Sequence, residues 1–180
     1  KVDFMGGNIR ILQLVLRTVA LVLCLTTAGA AVAQDFSAPQ GEVILTVSGQ
    51  IGKTNGEGTL QLDVAHYASL PQHEFTTSTT WTEGTPTFKG VLLKDLIAAV
   101  EATGGTINLT ALNDYKISMP MADVRDDGPP LAYMMDGKPM SVRDKGPIWL
   151  VFPYDDNADY RTEQTYARSI WQLDRIEFAD

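Results

Sequence analysis

Residues 73–81 read HEFTTSTTW and set five hydroxyl side chains in succession: Thr76, Thr77, Ser78, Thr79 and Thr80. Hydroxyls in such a run either wet one face of a strand, which threonine favours, or line a seat for a polar group. His73 opens the stretch, and His66 stands seven residues before it, across Pro71. Only Asp63 and Glu74 are near enough in sequence to join them, and a zinc-type site needs three or four placed ligands. Locally bonded histidines are therefore the expectation. Asp155, Asp156 and Asp159 lack the regular spacing of a calcium loop and read as a solvated turn. Arg143, Asp144 and Lys145 form either an anion clamp or a polar turn. Met119, Met121, Met134, Met135 and Met140 offer thioethers that suit Cu(I), but soft core filling is the commoner work of methionine. No glycine-rich loop precedes a helix, so nothing marks a nucleotide site. Asn108-Leu109-Thr110 fits a glycosylation sequon, which is read as chance in a chain with a bacterial-type leader.

That leader occupies residues 1–33. Arg10 and Arg17 supply positive charge, Val19 to Leu25 is apolar, and Ala31-Val32-Ala33 has the A-x-A form of a cleavage site. The order describes a secretory signal peptide starting at Met5, with residues 1–4 upstream of it. Its apolar core is shorter than the roughly 20 residues of a spanning helix, so no stable membrane insertion is expected after cleavage. The one cysteine, Cys24, lies inside it behind the bulky Leu23. Residues 34–180 therefore carry no disulfide, no thiolate nucleophile and no thiolate ligand. Without residues 1–33, which hold three basic side chains (Lys1, Arg10, Arg17) and one acidic one (Asp3), 11 basic groups face 21 acidic ones, a net charge of −10. Such a field repels nucleic acid and anionic membrane surfaces and suits a periplasmic protein.

The elements that would position these side chains follow from pattern. Residues 34–41 read as a tether, and 42–180 as one domain. Val43 to Val47 is β-rich, the glycine-rich IGKTNGEG (51–58) marks a hairpin, and residues 59–62 form the return strand. Asp63 can cap a short helix that Pro71 stops. Glu74 to Trp81 is strand-like. Leu92, Leu93, Leu96, Ile97 and Val100 make a helical stripe ended by Gly104-Gly105. Residues 107–112, 115–119 and 131–135 read as strands, and Asp136-Gly137 as a two-residue hairpin turn. IWLVFP (148–153), almost wholly apolar, reads as a central strand. Residues 162–173 can form an amphipathic helix and 175–178 a final strand. The helices do not alternate regularly with strands, so the expected class is α+β, a mixed β-sheet with flanking helices.

Four segments in order, TFKGVLLKDLI (87–97), LNDYKISMP (112–120), GPPLAYMMDGKPM (128–140) and GPIWLVFP (146–153), followed by SIWQLDRIEF (169–178), resemble the molybdopterin-binding domain of sulfite oxidase-type oxidoreductases. The resemblance spans about residues 43–178 and implies the same α+β fold. It also implies a molybdenum-ligating cysteine just before the F-x-G helix. Here that stretch is EFTTSTTWTEGTPTF, without sulfur, and a hydroxyl is a poor substitute for a soft thiolate. After IWLVFP, where relatives place a basic segment for the pterin phosphate, this chain has Tyr154-Asp155-Asp156-Asn157, with only Arg161 and Arg168 to compensate.

The expectation is a periplasmic binding module that has lost redox catalysis. It has no catalytic residue, no metal ligand and no required cofactor, and it presents a small ligand to a membrane sensor. The alternative is a molybdopterin-dependent oxidoreductase with non-cysteine ligation, working with a redox partner protein. In either case the resemblance draws Thr77, Ser78, Trp81, Asn113, Tyr115, Arg143, Tyr154 and Arg168 toward one ligand-binding surface.

Overall fold

The computed structural model describes residues 36–180. The expected signal peptide and its cleavage site lie outside the described residues. Two sheets carry the fold. The first has the order β2 (Leu60–Asp63), β1 (Val43–Gly49), β10 (Leu173–Ala179), β5 (Thr106–Ala111), β6 (Lys116–Pro120). It is mixed: β1 runs parallel to β10, and every other neighbour is antiparallel. The second is antiparallel throughout, in the order β3 (His73–Thr76), β4 (Thr87–Leu92), β7 (Pro130–Met135), β8 (Lys138–Pro139), with β9 (Trp149–Leu150) on β7. Among the described residues, three short α-helices, α1 (Val64–Ser69), α2 (Leu93–Ala99) and α3 (Glu163–Arg168), complete the α+β class.

Local chemistry explains most boundaries. The Asp63 carboxylate caps α1 by accepting the His66 N–H, and it also accepts the Gln40 and Gly41 N–H groups at 2.9 Å each. The tether is thereby tied to the domain. His66 Nδ1 lies 2.8 Å from the same carboxylate, so this histidine is locally bonded as expected. Asp136 (φ 50°) and Gly137 (φ 72°) both occupy the left-handed region, which makes a tight hairpin turn between β7 and β8. Gly90 lets β4 approach β7: a Cβ there would lie 2.0 Å from the Leu131 carbonyl oxygen.

Three elements differ from expectation. IWLVFP is buried throughout, but it is not a central strand. Only Trp149 and Leu150 pair with β7. On its other side Leu150 N–H donates to Ile170 O, and Leu173 N–H donates to Ile148 O. The segment is thus the seam between the two sheets, and burial on all sides gives it the composition of a central strand. Second, the helix expected over 162–173 ends at Arg168. Ser169 Oγ bonds back to Thr165 O at 2.8 Å and Gln172 takes φ 53°, which leaves the 170–172 backbone to meet the seam. Third, β3 stops at Thr76, and residues 77–86 form a loop.

Candidate functional site

The loop after β3 sorts its hydroxyls by environment. Thr77 is fully buried. Its Oγ1 accepts the Asp155 N–H at 3.1 Å and donates to Ser78 O at 3.2 Å. Ser78 holds the Asp155 carboxylate twice, through its N–H at 2.5 Å and its Oγ at 2.8 Å. Arg161 Nη2 reaches the same carboxylate at 3.2 Å, and Arg161 Nε donates to Tyr154 O at 2.7 Å. The Ser78 N–H, then its hydroxyl, hold the Asp155 carboxyl below the usual carboxylate range, as hydrogen bonds to the charged form must. Thr79 Oγ1 pairs with Thr82 Oγ1 at 2.8 Å and accepts the Trp81 N–H at 3.0 Å, which sets the start of the tryptophan.

Tyr154 is buried beneath this loop, and its hydroxyl bonds Ser169 Oγ. The serine proton goes to Thr165 O, so the tyrosine is the donor in that pair. Burial above all pushes the Tyr154 phenol up to about 12.

Two adjoining cavities meet at Tyr166. The first, about 320 Å³, is walled by Trp81, Tyr115, Tyr166 and Trp171, with Asn113, Ser169 and Gln172 as its polar members. Trp81 is its hub, edge-on to Trp149 (5.9 Å), Tyr166 (6.0 Å) and Trp171 (5.7 Å). Lys145 Nζ caps the Trp171 ring at 4.3 Å. Asn113 Oδ1 accepts the Tyr115 N–H at 3.1 Å, and its amide NH2 has no protein partner among the described residues. The second cavity, about 260 Å³, is polar and lined by Ser78, Thr79, Thr80, Tyr154, Asp155, Arg161 and Tyr166. An apolar cleft with a few placed polar groups is the usual form of a small-molecule site.

Of the eight residues read from sequence, Trp81, Asn113 and Tyr115 line the aromatic cleft, and Ser78 and Tyr154 line the polar cavity. Thr77 lies beneath the loop as a buried brace. Arg168 lines neither cavity: its guanidinium is paired with Asp123 at 2.7 Å. Arg143 is exposed on the turn before the seam and likewise lines neither. Tyr166, Trp171 and Gln172 are not among the eight. Trp171 and Gln172 belong to SIWQ after α3, which a continuous helix would have spread around its surface, and Tyr166 lies within α3 itself. Arg161, marked in the sequence only by its charge, is bound to Asp155.

Among the described residues, no group of three or more His, Asp or Glu side chains could hold a metal ion. The comparison with curated proteins gave no match. Among solved structures, the fold is similar to the sulfane dehydrogenase SoxCD from Paracoccus pantotrophus, with a TM-score of 0.58 and 18% identity over 82% of this chain and 40% of that one. The chain thus spans less than half of that enzyme's length, and the likeness is one of fold. A family model described as oxidoreductase molybdopterin binding domain matches residues 53–155, more than half of the sequence. The chain belongs to this sulfite oxidase-type molybdopterin-binding domain family.

Proposed function

We propose that this protein is an exported ligand-binding domain that seats a flat, pterin-like heterocycle in the aromatic cleft and performs no molybdenum redox chemistry. The cleft itself carries the reading. Its volume, about 320 Å³, is at the low end of small-molecule sites, which run from roughly 300 to 1,000 Å³. That suits a bicyclic ring rather than a dinucleotide-extended cofactor. Four aromatic side chains supply faces and edges for stacking, and the Asn113 amide can donate to a ring-edge acceptor.

The donor set does not fit molybdenum. Cys24 is the only cysteine and lies in the leader. Thr77 Oγ1 is engaged on both sides by Asp155 N–H and Ser78 O. Ser78 Oγ is committed to Asp155. A metal-bound oxidoreductase with hydroxyl ligation is the second reading. The family match favours it, and it would require this hydrogen-bonded brace to be dismantled. Tyr115 and Trp171 line the cleft and are exposed, and the exposed Leu112 and Val142 are tied through their backbones to its Gln172. A bound ring would be presented there to a partner protein such as a membrane sensor.

Mature protein purified from its own envelope tests the two readings. Release of a pterin-type fluorophore on denaturation, without molybdenum, is expected. Stoichiometric molybdenum would refute the proposal. In parallel, 6-hydroxymethylpterin should quench the tryptophan emission, since all three tryptophans belong to one cluster. Trp81→Ala should weaken that binding about 5- to 150-fold, the range of about 1–3 kcal/mol for one ring–aromatic stack.

A further inference from the structure

Beside the aromatic cleft lies a set of donors of the kind that recognises an anion: a backbone N–H, a hydroxyl and a guanidinium converging on one point. The chain fills that point itself. The Asp155 carboxylate accepts Ser78 N–H at 2.5 Å, Ser78 Oγ–H at 2.8 Å and Arg161 Nη2–H at 3.2 Å. Its backbone N–H is fixed in turn by Thr77 Oγ1 at 3.1 Å, and the guanidinium is anchored by Tyr154 O at 2.7 Å. The carboxylate is one wall of the polar cavity, and Tyr166 joins this cavity to the cleft.

We infer that Asp155 is the specificity residue of this site: its carboxylate occupies the anion seat, so the protein accepts a ring with a neutral, hydroxylated substituent and rejects one carrying a carboxylate or phosphate. The inference rests on the ring-binding reading for the identity of the ligand, while the filled seat stands on its own geometry. A second anion would lie against a fixed like charge with the Ser78 N–H, the Ser78 hydroxyl and Arg161 Nη2 already engaged, and such juxtaposition is strongly unfavourable. Ser78, Thr79 and Thr80 still offer hydroxyl oxygens to a neutral polar group. The net charge of −8 over the whole sequence works in the same direction.

Two probes at low salt test this, each on wild type, Asp155→Ala and Asp155→Ser. The first is a pair with the same ring and a neutral or anionic group at one substituent, 6-hydroxymethylpterin and pterin-6-carboxylate, followed by tryptophan fluorescence. Wild type should prefer the neutral ring by at least about 10-fold, and the variants should narrow that preference to about 2-fold. The second is inorganic phosphate followed by thermal shift, which should stabilise the variants saturably and leave wild type unmoved. Asp156→Asn removes the same charge from a neighbour that lines neither cavity, and it should keep the wild-type preference. Equal binding of the two pterins by wild type overturns the inference. So does equal narrowing by Asp156→Asn, which would assign the sorting to overall charge. Variants that fold by circular dichroism yet gain neither phosphate nor the acidic pterin also overturn it. Phosphate uptake by the variants with no pterin binding by any form would overturn the ring reading and leave the filled seat standing. The wild-type comparison needs no variant, so misfolding of either substitution does not shield the inference.

Discussion

Ser169→Ala should be among the most damaging single-atom deletions in this protein, and a mutant cycle with Tyr154→Phe measures why. Ser169 is 2% and Tyr154 3% exposed. The serine hydroxyl accepts from the Tyr154 phenol and donates to Thr165 O at 2.8 Å. Removing it costs the Thr165 bond, about 0.5–1.5 kcal/mol, and leaves the phenol buried without an acceptor, about 1–3 kcal/mol more. Together that is about 2–4 kcal/mol. In a Tyr154→Phe background the orphaned phenol is already gone, so the same substitution should cost only about 1 kcal/mol. The expected coupling is about 1–3 kcal/mol, in the range found for contacting pairs. Urea unfolding followed by far-UV circular dichroism reads it. With a slope of about 1–3 kcal/mol/M for a small domain, the single variant should lower the midpoint by about 1–2 M. Equal costs in the two backgrounds, within about 0.5 kcal/mol, would refute the shared-hydroxyl account. The pair also has a pH signature. The folded phenol titrates at about 12, above its unfolded value of about 10. Its contribution is complete below about pH 10 and is lost as pH rises toward about 12. Tyr154→Phe should flatten that alkaline limb.

Asp63 should dominate the acid limb. His66 N–H first, then the Gly41 and Gln40 N–H groups, hold its carboxyl well below the usual range. Its stabilisation is therefore present above the ordinary carboxylate value and is lost as pH falls below it. Asp63→Asn should make the urea midpoint less dependent on pH between about 2 and 4, and an unchanged profile would refute the assignment. Gly90→Ala should destabilise by at least about 2 kcal/mol in the same assay, because the new Cβ would meet the rigid Leu131 and Ala132 backbone at 2.0–2.6 Å. Arg143→Ala should leave both the midpoint, within about 0.5 kcal/mol, and 6-hydroxymethylpterin affinity unchanged, since Arg143 lines neither cavity.

Much of the fold was legible wherever a local rule and the tertiary context agree. Asp63 before an apolar helix, Asp136-Gly137 between two β-rich runs, and the alternating buried Leu45 and Val47 of β1 each state their own structure. IWLVFP reads as a central strand because composition reports burial and not ladder position. Wedged between β7 and the 170–173 backbone, it meets apolar surroundings as completely as a central strand does. Helix α3 reads too long for a related reason. Residues 169–173 keep a helical spacing of apolar side chains, but Leu150 N–H needs the Ile170 carbonyl and Leu173 N–H needs the Ile148 carbonyl. Tertiary hydrogen bonds then outweigh the marginal propensity of a two-turn helix.

The site was less legible because its residues do not share an element. Trp81 comes from a loop, Asn113 and Tyr115 from the β5–β6 turn, and Tyr166 and Trp171 from either side of the end of α3. The hydroxyl run shows how far local propensity carries. Thr76 behaves as a strand residue, its hydroxyl 3.1 Å from that of Thr87 on β4. From Thr77 onward the hydroxyls leave the ladder for separate partners. Thr77 braces residue 155, Ser78 holds its carboxylate, and Thr79 takes the Trp81 N–H. Five consecutive hydroxyl residues, four of them β-favouring threonines, would gain a longer β3 by staying in register. Giving up that ladder is compensated by a loop whose hydrogen bonds fix an aromatic wall and an internal anion at the same time. Breaks with local preference concentrate where a site is built. This one also falls on the stretch in which the family resemblance implies a metal-ligating cysteine, so the hydroxyl run standing there is the one that fixes an aromatic wall of the proposed ring site.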